Sequence, residues 1–131
     1  MKRTLRILMC VALLALIGGS IVACKPKEPP VEMLDFIANG ATSYTVIRAE
    51  TANVDIRTAA VRVCASLKEK TGLKDMPIDE DYVKRGEPVP TDTLEILVGM
   101  TNRAESIEAH AQLSENEYII AIMNKRLVII G

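Results

Sequence analysis

Carboxylates and a single histidine are the first side chains of this 131-residue chain to consider for chemistry. The run Asp79-Glu80-Asp81 could supply general acid–base groups or calcium ligands. Adjacent carboxylates on one loop, however, have no fixed separation across a scissile bond, and they lack the roughly 12-residue frame of a calcium loop. We therefore predict a solvated loop there. His110 has no obvious nucleophile beside it, so we predict that it lies at the surface and has no catalytic role.

A glycine turn at residues 99–103 precedes a predicted helix N-terminus, where backbone N–H groups can bind an anion. The segment lacks the Gly-Lys-Ser or Gly-Lys-Thr ending of a phosphate-binding loop. Two interpretations stay open, which are simple capping of the helix and a ligand contact through Thr101, Asn102 and Arg103. Tyr82 is the one aromatic side chain expected to be exposed, and flat aromatic rings commonly contact sugars.

The first 24 residues resemble an export signal. Lys2, Arg3 and Arg6 precede an unbroken apolar run over residues 7–17, which is shorter than the about 20 residues of a membrane-spanning helix. This pattern is typical of a secretory signal peptide. The next segment, Ile-Val-Ala-Cys at residues 21–24, resembles a bacterial lipobox, in which the cysteine thiol receives a lipid and a peptidase cuts before it.

Residues 1–23 are therefore predicted to be a lipoprotein signal peptide, cleaved between Ala23 and Cys24. Cys24 becomes the lipid attachment site and anchors the protein to the outer face of the bacterial cell membrane. Residues 24–43 are predicted to be the lipidated Cys24 and a proline-rich tether, because prolines block helix and sheet pairing. An ordinary cleaved signal and an uncleaved anchor are the alternatives.

The remaining cysteines exclude two kinds of stabilisation. Cys10 leaves with the leader, so Cys64 has no partner for an internal disulfide. It falls on the apolar stripe of a predicted helix, where cysteine packs as a small hydrophobe. One thiol and one histidine do not make a metal site, and neither a metal nor another cofactor is predicted.

Charge and length limit the function further. The chain has 16 basic and 17 acidic residues, and three of the basic ones lie in the leader. The exported part is therefore acidic, which excludes nucleic acid as a partner because phosphate binding needs a positive face. The composition is too apolar for wholesale disorder. One small domain is predicted, since a catalytic (β/α)8 barrel needs roughly 200 residues.

Two elements open this domain. Residues 44–49 are β-branched and predict a strand. A helix is predicted over residues 53–71, with Asn53 as its N-cap and Gly72 as the residue that ends it. Its inward stripe recurs at helical spacing and comprises Ile56, Ala60, Val63, Cys64 and Leu67.

The middle of the domain is predicted to contain two strands separated by a loop. Residues 73–78 predict a short edge strand, because Pro77 cannot donate to a sheet. Residues 79–93 predict a loop, and the apolar run over residues 94–99 predicts a central, buried strand.

The last part of the domain predicts a helix and a hairpin. The helix is expected to begin at Thr101 or Asn102 and to end near Leu113, and the residues expected to face inward are Ile107, Ala111 and Ala104. Residues 118–123 and 126–130 are two apolar runs separated by Asn124-Lys125, a pair suited to a two-residue hairpin turn.

This order of elements predicts an α/β fold, with a small mixed β-sheet of about four to five strands and helices packed on it. No final C-terminal helix is expected, because an apolar strand is followed directly by Gly131. A sheet left open in this way exposes an apolar patch. We therefore expect either that the domain is truncated or that a partner covers it.

The ordered motifs resemble a known domain type. They are Leu-Lys-Glu-Lys-Thr-Gly at residues 67–72, Glu-Ile-Leu-Val-Gly at 95–99, Glu-Tyr-Ile-Ile at 117–120, and Lys-Arg-Leu-Val-Ile-Ile-Gly at 125–131. The series is similar to the small α/β domain that precedes the catalytic barrel in glycoside hydrolases, such as the N-terminal domain of family 67 alpha-glucuronidases and the second domain of beta-hexosaminidases. The resemblance covers residues 44–131, whereas the helix and barrel that follow in the family are missing.

The resemblance implies a non-catalytic accessory domain, because the family's catalytic carboxylates lie in the barrel. Together with the leader, it implies a membrane-anchored surface lipoprotein of carbohydrate-handling machinery, with a carbohydrate or a carbohydrate-active protein as its partner. The alternative is an independent lipoprotein that binds a partner or ligand of unknown identity.

Overall fold

A computed structural model describes residues 35–131. The leader lies outside the described residues, so the cleavage site at Ala23 and the lipid attachment site at Cys24 stay predictions. The elements of the described part are β1 (Thr45–Arg48), α1 (Val54–Thr71), β2 (Ile78–Glu80), β3 (Glu95–Val98), α2 (Ala104–Gln112), β4 (Ile119–Met123) and β5 (Arg126–Ile130). In this part no helix is both long and apolar enough to cross a membrane.

The five strands form one mixed sheet in the order β2-β1-β3-β5-β4. The pairs β2–β1, β1–β3 and β3–β5 are parallel, and β4 runs antiparallel to β5. The predicted α/β fold with a mixed five-stranded sheet is therefore confirmed, and β3 lies at its centre as predicted.

Helix α1 begins and ends where its caps predict. The Asn53 Oδ1 atom accepts a hydrogen bond of 2.9 Å from the N–H of Ile56. Gly72 adopts a left-handed backbone with φ of 73°, and its N–H donates to the Lys68 carbonyl. Only glycine enters this conformation without strain, so the helix stops there. Ala60 and Cys64 on the predicted stripe are buried.

The β4–β5 hairpin also follows the prediction. Asn124 and Lys125 have φ of 49° and 64°, and Met123 pairs with Arg126 across the turn. Two successive positive φ values define the type I′ turn, whose twist matches that of the two strands it joins.

Side chains alternate between two core clusters on opposite faces of the sheet. Val46, Ile96 and Val98 face α1, whereas Leu97 and Val128 lie on the face that α2 covers. Because both faces are covered at the centre, every residue of β3 is buried. This double coverage is the reason that β3 reads as an apolar run rather than an alternating one.

Residues 36–41 pack onto the domain, although they fall within the predicted tether over residues 24–43. Phe36 and Ile37 contact the cluster on the α1 face, and the Phe36 ring centroid lies 5.2 Å from that of Tyr44. A tight turn at Asn39 and Gly40, both with positive φ, closes a bridge between residues 38 and 41.

Strand β2 differs from its prediction in position. It occupies Ile78–Glu80, so it shares only Ile78 with the predicted residues 73–78 and includes two residues of the predicted loop. It pairs with β1 at the edge of the sheet. Leu73 and Met76 lie in a loop, and their side chains are buried in the core. Their apolar character therefore reflects core packing and does not mark a strand. The solvated loop predicted at residues 79–81 was wrong for Asp81, which is 8% exposed.

Helix α2 buries a different face from the predicted one. Its inward residues are Glu105, Ser106 and Ala109, whereas Ile107 is 48% exposed. Ala104 and Ala111 are exposed as well. The physical reason is that the first turn of α2 contacts a buried arginine rather than an apolar sheet face. The apolar residues of the helix therefore do not mark its buried side.

Candidate functional site

Four charged side chains meet inside the domain, on the face that α2 covers. Glu95 begins β3, Arg126 begins β5, Glu105 lies in the first turn of α2, and Arg103 directly precedes that helix. Each is at most 4% exposed. These four residues are termed the ion-pair cluster below.

Both arginines of the cluster contact Glu95. Arg103 binds the carboxylate at two points, with 2.9 Å from Nε to Oε2 and 2.9 Å from Nη2 to Oε1. The Nε of Arg126 lies 2.9 Å from Oε2 of the same carboxylate. That N–H is not aligned for a hydrogen bond, so the second contact is an ion pair only. Contact at two points fixes the orientation of the guanidinium relative to the carboxylate, in addition to pairing their charges.

Arg126 extends the cluster to the neighbouring loop and helix. Its Nη1 donates a hydrogen bond of 2.8 Å to Glu105, and its Nη2 donates to the Pro90 carbonyl and the Thr93 hydroxyl. The amide of Asn124 donates to the other oxygen of Glu105 over 3.0 Å. The cluster therefore fastens the loop before β3 and the hairpin turn to the helix.

Glu105 is held in its ionised form. Burial raises the pKa of its carboxyl, but hydrogen bonds from Asn124, from backbone and from Arg126, together with the Arg126 charge, lower that pKa by more. The net direction is downward. A general acid needs the opposite shift, because it must hold a proton at working pH. Within the cluster, two cations balance two anions, which is how charge is tolerated in a protein interior.

The turn before α2 is filled by the protein's own oxygens. The Asp81 carboxylate accepts hydrogen bonds from the N–H groups of Glu50 and Asn102 at 2.9 and 2.8 Å. The N–H of Thr101 donates to the Ser106 hydroxyl, and that of Arg103 donates to the Thr101 hydroxyl. An anion bound by these N–H groups would have to displace their internal partners. A ligand contact at Thr101 and Asn102 stays a prediction.

Tyr82 and Arg103, two of the predicted ligand residues, line a single groove of about 330 Å³ beside β1 and β2. This polar groove also contains hydroxyl and carboxylate side chains, namely Ser43, Thr45, Asp79, Glu80, Thr93 and Glu95. Tyr82 is 61% exposed at its rim. Thr101 and Asn102 do not line it, and Thr101 is buried.

Tyr82 is not the only exposed aromatic residue, contrary to expectation. Tyr118, which directly precedes β4, is 76% exposed. It follows a turn in which Asn116 has positive φ, and it stands beside the exposed side chain of Ile120. The sequence predicted the strand and an exposed apolar patch on the open sheet, and Tyr118 and Ile120 are exposed apolar side chains of the hairpin.

Two other candidate residues lie where the sequence predicted. Cys64 is buried in the cluster on the α1 face, and burial raises the pKa of its thiol. His110 is exposed on α2. Across residues 35–131, no group of three His, Cys, Asp or Glu side chains could hold a metal ion.

No family model, no curated protein and no solved structure matches this chain. The likeness to accessory domains of glycoside hydrolases therefore stays a prediction that rests on the motif series.

The sequence predicted neither the meeting of the four residues of the ion-pair cluster nor the burial of the Asp81 carboxylate. One local signal was available for two members: Glu95 and Arg126 each stand at the first position of an otherwise apolar strand. A charge that begins a buried run needs a partner of opposite sign. Nothing local identifies that partner, because Glu95 and Arg126 are 31 positions apart and meet only through β3–β5 pairing.

Proposed function

We propose that this protein is a non-catalytic, lipid-anchored domain at the outer face of a bacterial cell membrane, which serves as a scaffold or spacer for carbohydrate-handling machinery. The observation that carries the non-catalytic part is the ion-pair cluster. Its two carboxylates, Glu95 and Glu105, contact arginine, and the contacts join β3, α2 and β5. Buried carboxylates in this arrangement stabilise the domain and are not poised to transfer protons.

The anchor rests on the leader and its lipobox. A single acyl chain binds a membrane weakly, whereas more than one chain makes the attachment stable. Lipid on Cys24 therefore holds the domain at the surface. Phe36 and Ile37 pack on the domain core, and the proline-rich segment between them and Cys24 would give the domain distance from the membrane.

The carbohydrate part rests on the motif series and on the polar groove. An exposed tyrosine ring can pack on the C–H face of a sugar, and the neighbouring hydroxyl and carboxylate groups can exchange hydrogen bonds with sugar hydroxyls. Tyr82 supplies the ring, while Ser43 and Asp79 are among the polar groups. One ring and a shallow groove support weak contact, as suits an accessory domain.

Lipid attachment is tested by metabolic labelling of the full chain with a fatty acid, followed by cell fractionation. Cys24→Ala should lose the label and leave the membrane fraction. Cys64→Ala is the control, because that thiol is buried in the core, and it should keep both the label and the location. Labelling that persists in Cys24→Ala would refute attachment at this site.

The accessory role is tested by retention of the full chain on immobilised cell-wall and plant polysaccharides. Tyr82→Ala should weaken retention, whereas Tyr118→Ala should not, because Tyr118 is an exposed tyrosine outside the polar groove. Hydrolysis of glucuronosides or hexosaminides that is lost in a folded Glu105→Gln variant would contradict a non-catalytic role.

An independent partner-binding lipoprotein is the second candidate, and the exposed apolar side chains around β4 favour it. Tyr118, Ile120 and Ile122 are 76%, 62% and 36% exposed. This function predicts no retention on any polysaccharide, together with capture of one defined protein that is lost when Ile120 is changed to Lys.

A further inference from the structure

The polar groove adjoins a second and larger groove at the start of β3. This second groove, of about 810 Å³, lies between the loop before β3, the first turn of α2 and the β4–β5 hairpin turn. Thr91, Asp92 and Asn124 are among the residues that line it. Thr93 and Leu94 line both grooves, so the two meet along one short segment of backbone. The two grooves together are termed the cleft below.

The cleft crosses several strands of the sheet. Asp79 lies on β2 at one end, and Asn124 lies in the turn before β5 at the other end. Strands β1 and β3 lie between β2 and β5 in the sheet. Neighbouring strands are about 4.8 Å apart, so the two ends are separated by about 14 Å. One sugar ring cannot span that distance, whereas a linear chain of sugars can.

The walls of the cleft suit a sugar chain along its whole length. Ser43 and Thr45 supply hydroxyl groups in the polar groove, and Thr91 supplies one in the second groove. Hydroxyl groups both donate and accept hydrogen bonds, as sugar hydroxyls do. Tyr82 and Leu94 are 61% and 37% exposed and offer apolar surface to the C–H groups of a sugar. Each groove can therefore contact a sugar through polar and apolar groups.

Most of the charge in the cleft is neutralised within the protein. The carboxylates of the ion-pair cluster are paired with its arginines, and Glu80 is paired with Arg48 over 2.7 Å. Asp79 and Asp92 form no salt bridge within residues 35–131, and they outnumber the lysine of the cleft, Lys125. The cleft is therefore slightly acidic, and it repels a polymer that carries an acidic group on each sugar.

We infer that the ligand of this domain is a linear, non-acidic polysaccharide, which lies along the cleft and contacts both grooves. The inference rests on the proposed function and names the class of glycan. One part of the polysaccharide binds beside Tyr82, and the sugars that follow bind in the second groove. Each further sugar adds hydrogen bonds and buries apolar surface until the cleft is full, so the affinity depends on chain length.

Binding of sugar oligomers to the full chain tests this dependence on length. The protein is solubilised in a detergent without a sugar headgroup, and calorimetry compares dimers and hexamers of β-1,4-linked glucose and N-acetylglucosamine. At least one of these hexamers should bind about tenfold more tightly than its own dimer. A hexamer of galacturonate should bind about tenfold more weakly than that neutral hexamer, because its carboxylates meet the acidic cleft.

A covalent block of the second groove tests whether the ligand occupies it. Thr91→Cys, alkylated with a bulky maleimide, should bind the neutral hexamer no more tightly than the dimer. Thr58→Cys, at an exposed position on α1, is the control and should keep the preference for the hexamer after alkylation. Cys64 is buried, so the reagent is directed to the new thiol in both variants. Because each variant is compared before and after alkylation, the result does not depend on its stability.

The charge of the cleft is tested with a matched pair of aspartates. Asp79 and Asp75 are both exposed, and each accepts a hydrogen bond from the N–H of the next residue. Asp75 lines neither groove. Asp79→Asn should strengthen binding of the galacturonate hexamer about threefold, because it removes a like charge at an exposed site. Asp75→Asn should leave that affinity unchanged.

Failure of this inference is distinguishable from failure of the proposed function. If a polysaccharide retains the protein but its hexamer binds no more tightly than its dimer, one groove is enough and the inference is overturned. The same holds if alkylated Thr91→Cys keeps the preference for the hexamer. A galacturonate hexamer that binds most tightly would overturn the non-acidic class. If no polysaccharide and no oligomer binds, the carbohydrate part of the proposed function fails, and the inference fails with it.

Discussion

Arg126 of β5 donates a hydrogen bond of 2.8 Å to Glu105 of α2, although neither side chain is more than 5% exposed. This contact explains why the first turn of α2 buries a carboxylate instead of an apolar side chain. It also fixes the position of the helix along β5, because a buried charge has a specific partner whereas an apolar contact tolerates sliding.

Removal of the Arg126 guanidinium should destabilise the domain strongly. Arg126→Met keeps most of the side-chain volume but leaves Glu105 buried without its cation, which typically costs about 3–5 kcal/mol of unfolding free energy. Arg48→Met is the control, because the Arg48–Glu80 pair is 19% and 39% exposed. The control should lose at most about 1 kcal/mol in urea unfolding. Equal losses in the two variants would contradict a structural role for the cluster.

Acid should weaken the domain through Glu105. Its pKa is lowered in the folded state, so the unfolded chain takes up the proton more readily. The stabilisation is present above the unfolded pKa of about 4.3 and is lost as the pH falls through the lower folded pKa. Urea unfolding at a series of pH values should show this loss in the wild type and a smaller one in Glu105→Gln. Glu108→Gln, at an exposed position on the same helix, should retain the wild-type slope.

The Asp81 carboxylate should contribute more to the free energy of unfolding than the carboxylate of its neighbour Asp79. Asp81→Ala removes the acceptor for two backbone N–H groups, those of Glu50 and Asn102, and should lower the unfolding free energy by about 2–4 kcal/mol. The Asp79 carboxylate accepts only from the adjacent N–H of Glu80 and is exposed. Asp79→Ala should therefore change thermal unfolding very little, and the reverse order would refute the assignment.

Cys64 should react slowly with alkylating reagents in the native protein. Burial raises the pKa of its thiol, so less thiolate is present, and the sulfur is shielded from the reagent. Iodoacetamide followed by mass spectrometry should show modification of Cys64 only after urea is added. A cysteine placed by Ala65→Cys, exposed on the same helix, should react in the native state. Comparable native rates at the two positions would place Cys64 outside the core.

The elements that the sequence predicted correctly are those with local signals. The Asn53 cap and Gly72 define α1 because each satisfies or ends backbone hydrogen bonds within a few residues. Asn124 tolerates the positive φ of a hairpin turn, and the apolar runs on the two sides of that turn, of five residues in β4 and four in β5, supply the strands. None of these assignments needs knowledge of a distant contact.

Most of the errors share one physical origin, which is contact between residues that are distant in sequence. Glu105 faces inward because it pairs with Arg126 of β5. Asp81 is buried because its carboxylate accepts hydrogen bonds from N–H groups in two separate loops. The same applies to β2, since the pairing of Ile78 with Val46 fixes its position and no feature of residues 73–80 does. Local apolarity therefore identified the central strand of the candidate site but not the charges that surround it.

The strand order has a consequence for the timing of folding. β5 is the last strand along the described chain, yet it lies between β3 and β4 and carries Arg126 of the ion-pair cluster. Until the residues near 130 have left the ribosome, β3 lacks one neighbour and Glu95 lacks one of its arginines. Parallel pairing between strands distant in sequence is also intrinsically slow. The five-stranded sheet and the ion-pair cluster therefore cannot be completed before residues 126–130 are available to pair with β3.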